Sequence, residues 1–215
     1  MMGNKDLLDF SKNWAMSMAT LVEMNDGSTR RHLETVGLWS AHLAKLAGLE
    51  PIKADWLGVA AILHDIGKGA IPRELWLKPS AFLDQEREYA KAHTEFGKLI
   101  LERVEEWGHS FVPMPILSMA KEIAWAHHEN WDGSGYPRGL SGDAIPWSAQ
   151  IVRIADMTDA LLSKRPYKNA WEVAEVETEL LAKRGCFFSP ALLDVFLQRG
   201  LKTWLDSSFF LPQVL

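Results

Sequence analysis

The chain has 215 residues, 47% of them hydrophobic and 24% charged, enough to bury one sizeable core without covalent staples. Its single cysteine, Cys186, excludes an intrachain disulfide and fits a reducing compartment. A formal charge of −5 argues against a general binder of DNA or RNA, which needs a basic footprint. No apolar run reaches the roughly 18 residues of a membrane span, and the N-terminus lacks a signal peptide's apolar stretch. A cytoplasmic chain without membrane association is expected.

Helical periodicity dominates. Asp6 to Met24 reads as an amphipathic helix with Leu7, Phe10, Trp14, Met18 and Leu21 near one face, broken by Asn25-Asp26-Gly27-Ser28. A second helix runs from about Arg30 to Ala47 and stops at Gly48. Pro51 suits the first turn of a third, which carries an apolar run into Ile66 before Gly67, Gly69 and Pro72 end it. Asp84 opens a long helix to about Glu106, and another spans about Ile116 to Glu129. Residues 130–147 are rich in Gly and Pro and too long for a simple connection, which marks a functional loop. Helical character resumes from Ser148 to Ser163, Asn169 can cap the next helix, and Ser189-Pro190 starts the last. No alternating strand pattern is evident. The expected fold is all-α, a single unit of about seven to nine helices.

Two dipeptides carry the chemistry. His64-Asp65 and His127-His128 each follow an apolar helical stretch, and adjacent helix residues point about 100° apart, so each pair can address two neighbouring metals or two sides of one. Imidazoles with carboxylates suit iron, manganese or zinc, and the lack of cysteine ligands argues against a closed zinc-finger type of site. His32, His93 and Asp156 fit the same picture, although each alone reads equally as structural. His42 and His109 carry no functional reading.

The segments HDIGK, AIPRELWLKP, HHENWDGSGYPRGLSGDAIP, RIADMTDAL and RPY occur in an order that resembles the HD-GYP family of bacterial metal-dependent phosphodiesterases, a branch of the HD superfamily. The resemblance covers about residues 29 to 200. It implies an HD-domain helical bundle with a long GYP loop, residues 29–215 forming the catalytic domain and residues 1–28 a helical extension. It implies hydrolysis of cyclic di-GMP to linear pGpG, in some members on to GMP, by a hydroxide bridging two divalent metals. Iron is the family's usual metal and manganese the alternative.

Carried over by motif, His32, His64, Asp65, His93, His127, His128 and Asp156 match the family's metal ligands. Asp65 would bridge the two ions, with His93, His127 and His128 completing one and His32, His64 and Asp156 the other. Lys68 matches the lysine of HDxxK and would meet the scissile phosphate. Tyr136, Arg165 and Tyr167 match substrate-contacting positions, and Asp159 would orient a ligand or Lys68. Ser28 stands where some members carry a glutamate that helps hold a third ion, which points to two metals and a product of pGpG. Gln150 replaces a common arginine and Ser189 an aspartate, both expected to be harmless. A phosphodiesterase for cyclic GMP-AMP, or a cyclic-dinucleotide or signalling-partner binding module with little turnover, is the alternative. The chain length leaves no room for an appended sensor domain, so regulation would come from a homodimer or a separate regulatory protein.

Overall fold

The structure, a computed structural model, describes residues 3–22, 27–107, 112–163 and 170–201. Its α-helices are α1 (Asn4–Val22), α2 (Gly27–Leu46), α3 (Pro51–Ala61), the single turn α4 (Arg73–Trp76), α5 (Asp84–Lys91), α6 (His93–Trp107), α7 (Met114–Ala126), α8 (Trp147–Leu162), α9 (Val173–Ala182) and α10 (Pro190–Val195). Among the described residues there is no strand, only isolated bridges between Asp132 and Ser141 and between Arg184 and Phe188. The all-α expectation holds.

Apart from a small second cluster of Ala126, Ile145 and Ala149 beside the GYP loop, the core is one large cluster. Trp39, Leu33 and Leu43 of α2, Leu57 of α3, Ile116 and Ile123 of α7, and Ile151 and Ile154 of α8 are buried in it together with Ala15 and Ala19 of α1. Helices α2 and α3 approach closely, and a Cβ on Gly58 would stand 2.7 Å from the carbonyl oxygen of Gly37. Two backbones that near admit only glycine on the facing surfaces. The site lies at one end of this frame, where α3 and α7 stop, α6 begins, and α2 and α8 pass.

Among the helix boundaries that differ from the periodicity, three shape the site. The third helix ends at Ala61 instead of continuing to Ile66, and tight i→i−3 bonds follow, including His64 N–H to Ala61 O (3.2 Å) and Lys68 N–H to Asp65 O (2.9 Å). The cause is packing: a Cβ on Gly67 would sit 1.8 Å from the carbonyl oxygen of His93, so this turn is pressed against the start of α6. The long helix expected from Asp84 to Glu106 breaks at Ala92, which places His93 first in α6. The helix expected to reach Glu129 ends at Ala126, leaving His127 and His128 in the turn beyond it. The start of α5 falls one residue from expectation, with Leu83 at the cap and its N–H donating to Glu86 Oε2 at 2.7 Å. Asn169 lies outside the described residues, and α9 opens after Glu172. Ser189 and Pro190 open α10 as expected.

Candidate metal centre

Seven side chains from five parts of the chain converge. Asp65, His93, His127 and His128 form one group whose ligand-type atoms lie within 4.8 Å of one another, and His32, His64 and Asp156 form a second with the same spread. The rings meet across the two groups, with His64 and His127 centroids 5.2 Å apart, and within the second group His32 and His64 lie 5.6 Å apart. Asp65 stands between them: its Oδ2 is 3.2 Å from His64 Nε2, and its Oδ1 is 3.3 Å from His93 Nε2 and 3.6 Å from His127 Nε2.

Hydrogen bonds fix which nitrogen faces inward. The Nδ1 of His64, His93 and His127 lies 2.9, 2.7 and 3.0 Å from the carbonyl oxygens of Ala61, Ala90 and Ile123. Each carbonyl belongs to the helical turn just before its ring, so ending a helix at these positions is what orients the imidazoles. His32 uses Asp159 in the same way, at 2.7 Å from Nδ1 to Oδ2. A neutral ring that donates from Nδ1 keeps a lone pair on Nε2.

The inner atoms therefore confront one another as acceptors. Asp65 Oδ1, His93 Nε2 and His127 Nε2 are buried and make no hydrogen bond. Buried polar atoms without partners are costly, and lone pairs aimed at one another add repulsion. A cation shared among them resolves both problems, and an all-nitrogen-and-oxygen donor set suits iron, manganese or zinc. The residues present fit divalent metals.

The electrostatics favour the ligand forms. Burial pushes the Asp65 carboxyl up, but neighbouring positive charge, Lys68 foremost, outweighs it and holds the group well below the usual carboxylate range. Burial pulls His127 down to about 4 and pulls His128 down as well, so both rings are neutral near neutral pH. Asp156 is raised by burial and lowered by His64 and His32, with a net fall.

Lys68 pairs directly with Asp65 Oδ2 and lies 5.5 Å from the centre of the Trp76 ring. Tyr136 stacks on His128 with centroids 4.7 Å apart and planes 22° apart. Residues 130–147 form the expected irregular loop, tied down by Glu129, whose carboxylate accepts from Arg138 N–H (2.8 Å) and Leu140 N–H (3.0 Å). A Cβ on Gly135 would meet Asn130 N at 2.3 Å and His128 O at 2.5 Å, so the glycine lets the GYP segment fold back on the histidine pair. Arg165 and Tyr167 lie outside the described residues, as does His109.

Gln150 is buried and donates from Nε2 to Ile145 O at 2.8 Å, a packing role as expected. Glu34 is engaged by Arg30 at 3.2 Å, and the side chain of Ser28 lies outside the described residues. Two residues near the centre are not apparent from the motifs. Glu129 organises the loop, and Arg153 reaches His128 Nδ1 at 3.3 Å from Nη1. The signal for the second in the sequence is a cation inside the apolar stretch QIVRIADM, one turn before Asp156.

A family model described as the HD domain matches residues 5–191. The chain belongs to the HD domain family. Its HDIGK and GYP motifs set it in the HD-GYP branch. A Vibrio cholerae protein named 3'3'-cGAMP-specific phosphodiesterase 2 is 40% identical over 193 residues, 90% of this chain and 35% of that one. A Thermotoga maritima protein named cyclic di-GMP phosphodiesterase is 42% identical over 178 residues, 83% of this chain and 46% of that one. The HD-GYP chain thus spans less than half the length of these two relatives. A crystal structure of a cyclic GMP-AMP specific phosphodiesterase from Vibrio cholerae superposes with a TM-score of 0.63 at 18% identity, covering 93% of this chain and 51% of that one, a likeness of fold. No described helix is long and apolar enough to cross a membrane.

Proposed function

We propose that this HD-GYP domain is a phosphodiesterase for a cyclic dinucleotide, cyclic di-GMP first, opening it to linear pGpG with two divalent metals, iron or manganese. The observation that carries the reading is the opposition of buried acceptors around Asp65, with two ligand groups meeting at one carboxylate. His93, His127, His128 and Asp65 would hold one ion, and His32, His64, Asp156 and Asp65 the other. Bound there, such ions would supply Lewis acidity towards a phosphoryl oxygen and lower the pKa of water.

The chain's own residues do the rest. Asp65 stays ionised through its pairing with Lys68 and the imidazoles. Lys68, on the turn below Asp65, offers a cation to the phosphate, where charge grows as the bond to the ribose oxygen breaks. Asp159 holds the His32 ring in the orientation that presents Nε2. Tyr136 covers the outer face of His128 and brings the GYP loop to the mouth of the site. Arg165 and Tyr167 complete the substrate contacts in this reading, the arginine through its bidentate fork. A cytoplasmic setting suits a nucleotide messenger as substrate.

A second substrate is favoured by one observation: the 40% identity over 90% of the chain to a protein named for cyclic GMP-AMP. The deciding experiment incubates metal-loaded protein with each cyclic dinucleotide and separates the products. Faster conversion of cyclic di-GMP to pGpG supports the first reading, and faster opening of cyclic GMP-AMP supports the second. No turnover with iron or manganese would leave a binding module.

A further inference from the structure

Four of the five clustered imidazoles are tied in one way. His32, His64, His93 and His127 each set Nδ1 against an oxygen, so each neutral ring carries its proton there. His128 breaks the pattern, with Nδ1 lying 3.3 Å from Arg153 Nη1. A guanidinium has donors only and stays charged, so at His128 the ring must accept at Nδ1 and carry its proton on Nε2. Stacking on Tyr136 holds the ring plane.

Arg153 itself is unusual. Its Nη2 donates to Asn130 Oδ1 at 2.9 Å, and its guanidinium lies 5.4 Å from the centre of the Phe187 ring. No carboxylate among the described residues is in hydrogen-bond contact with it, although the Asp156 charge, one turn further along α8, acts on it. A half-buried cation commonly keeps an acid in direct contact. Its direct partners here are an imidazole from the metal-ligand cluster and the Asn130 side-chain carbonyl.

Resting on the metal-site reading above, we propose that Arg153 is a positioning residue that competes with metal for His128. It engages the ring lone pair with a fixed positive charge and makes the Asp65–His93–His127–His128 group the weaker and more exchangeable of the two. A divalent ion would take up His128 either at Nδ1, by displacing the Arg153 hydrogen bond, or at Nε2, with the ring proton moving to Nδ1 and the same hydrogen bond broken. The other four rings demand neither. Arg153 also joins this ring to Asn130, the first residue of the GYP loop, so release of the guanidinium passes a change in metal occupancy to the loop.

The test uses the full chain and two readouts besides activity. In metal-free, nitrogen-15-labelled protein, long-range imidazole correlations should show the Nε2–H tautomer at His128 and the Nδ1–H tautomer at the other four. An Nδ1–H ring at position 128 overturns the proposal. In manganese titrations against a competing chelator, Arg153→Met should tighten one of two binding steps by about tenfold or more, because a cation near the ion is gone. Arg153→Lys, which keeps the charge, should stay near wild type. Weaker or unchanged binding in Arg153→Met, or equal tightening in Arg153→Lys, overturns it. Should Arg153→Met fail to fold, Arg153→Gln replaces it with the same expectation. Wild-type protein that binds neither manganese nor ferrous iron would overturn the metal-site reading itself, a result distinct from these.

Discussion

Asp159 and His32 stand 127 residues apart in the chain and are joined by a 2.7 Å hydrogen bond between Oδ2 and Nδ1. The bond ties α8 to α2 and aims His32 Nε2 towards Asp156, 3.5 Å away. Asp159 is buried, and its carboxylate engages His32 and Ser163, neither of which belongs to the Asp65 group. Asp159→Ala should therefore lower metal affinity by about 10- to 100-fold at the His32–His64–Asp156 group. The other ion should be retained. Chelator-competition titration checks this, and loss of both ions together would show that Asp159 supports the whole fold instead.

Lys68→Ala should separate rate from metal content. The lysine pairs with a carboxylate oxygen but supplies no ligand atom. Its loss should reduce turnover by about 10²-fold while both ions stay bound. Elemental analysis beside a steady-state assay decides, and a variant purified without metal would make Lys68 a support for Asp65.

Metal-stripped protein should lose stability as pH falls from 6.5 towards 4. Burial holds His127 at about 4 in the folded protein, against the ordinary histidine value of 6.5 in the unfolded chain. Between those values the unfolded chain binds a proton that the folded chain refuses, so stability falls with pH. Below 4 both states are protonated and this contribution is flat. The difference corresponds to at most about 3 kcal/mol, and His128 acts in the same direction. Asp65 works in a lower window, since its depressed carboxyl loses its contribution only as pH falls below the ordinary carboxylate value. Urea unfolding of chelator-treated protein at about pH 5 and about pH 7 measures the effect. Equal stabilities would contradict it.

The periodicity of the helices and the order of the motifs are legible in the residues, and the structure gathers the seven residues named from those motifs into two groups. Helix ends are less legible, for a physical reason. EYAKAHTEF contains neither glycine nor proline, yet the helix breaks at Ala92, because the turn holding Gly67 presses on the carbonyl of His93. That contact links residues 26 positions apart, which local propensity cannot register. The same holds for His64 and His127, which read as helical but lie just past their helices, where Nδ1 meets a carbonyl of the final turn. Arg153 shows in the sequence only as a single cation on an apolar helix, which reads as a snorkelling side chain. Only the fold shows that it ends on an imidazole.

The central claim is that two divalent ions share Asp65, and metal analysis of anaerobically purified protein tests it most directly. The account predicts two ions per chain in the wild type, with metal and turnover lost together in Asp65→Ala, because one carboxylate stands against both ligand groups. Asp65→Ala protein that keeps two ions and near wild-type turnover, or wild-type protein that holds three, would contradict it.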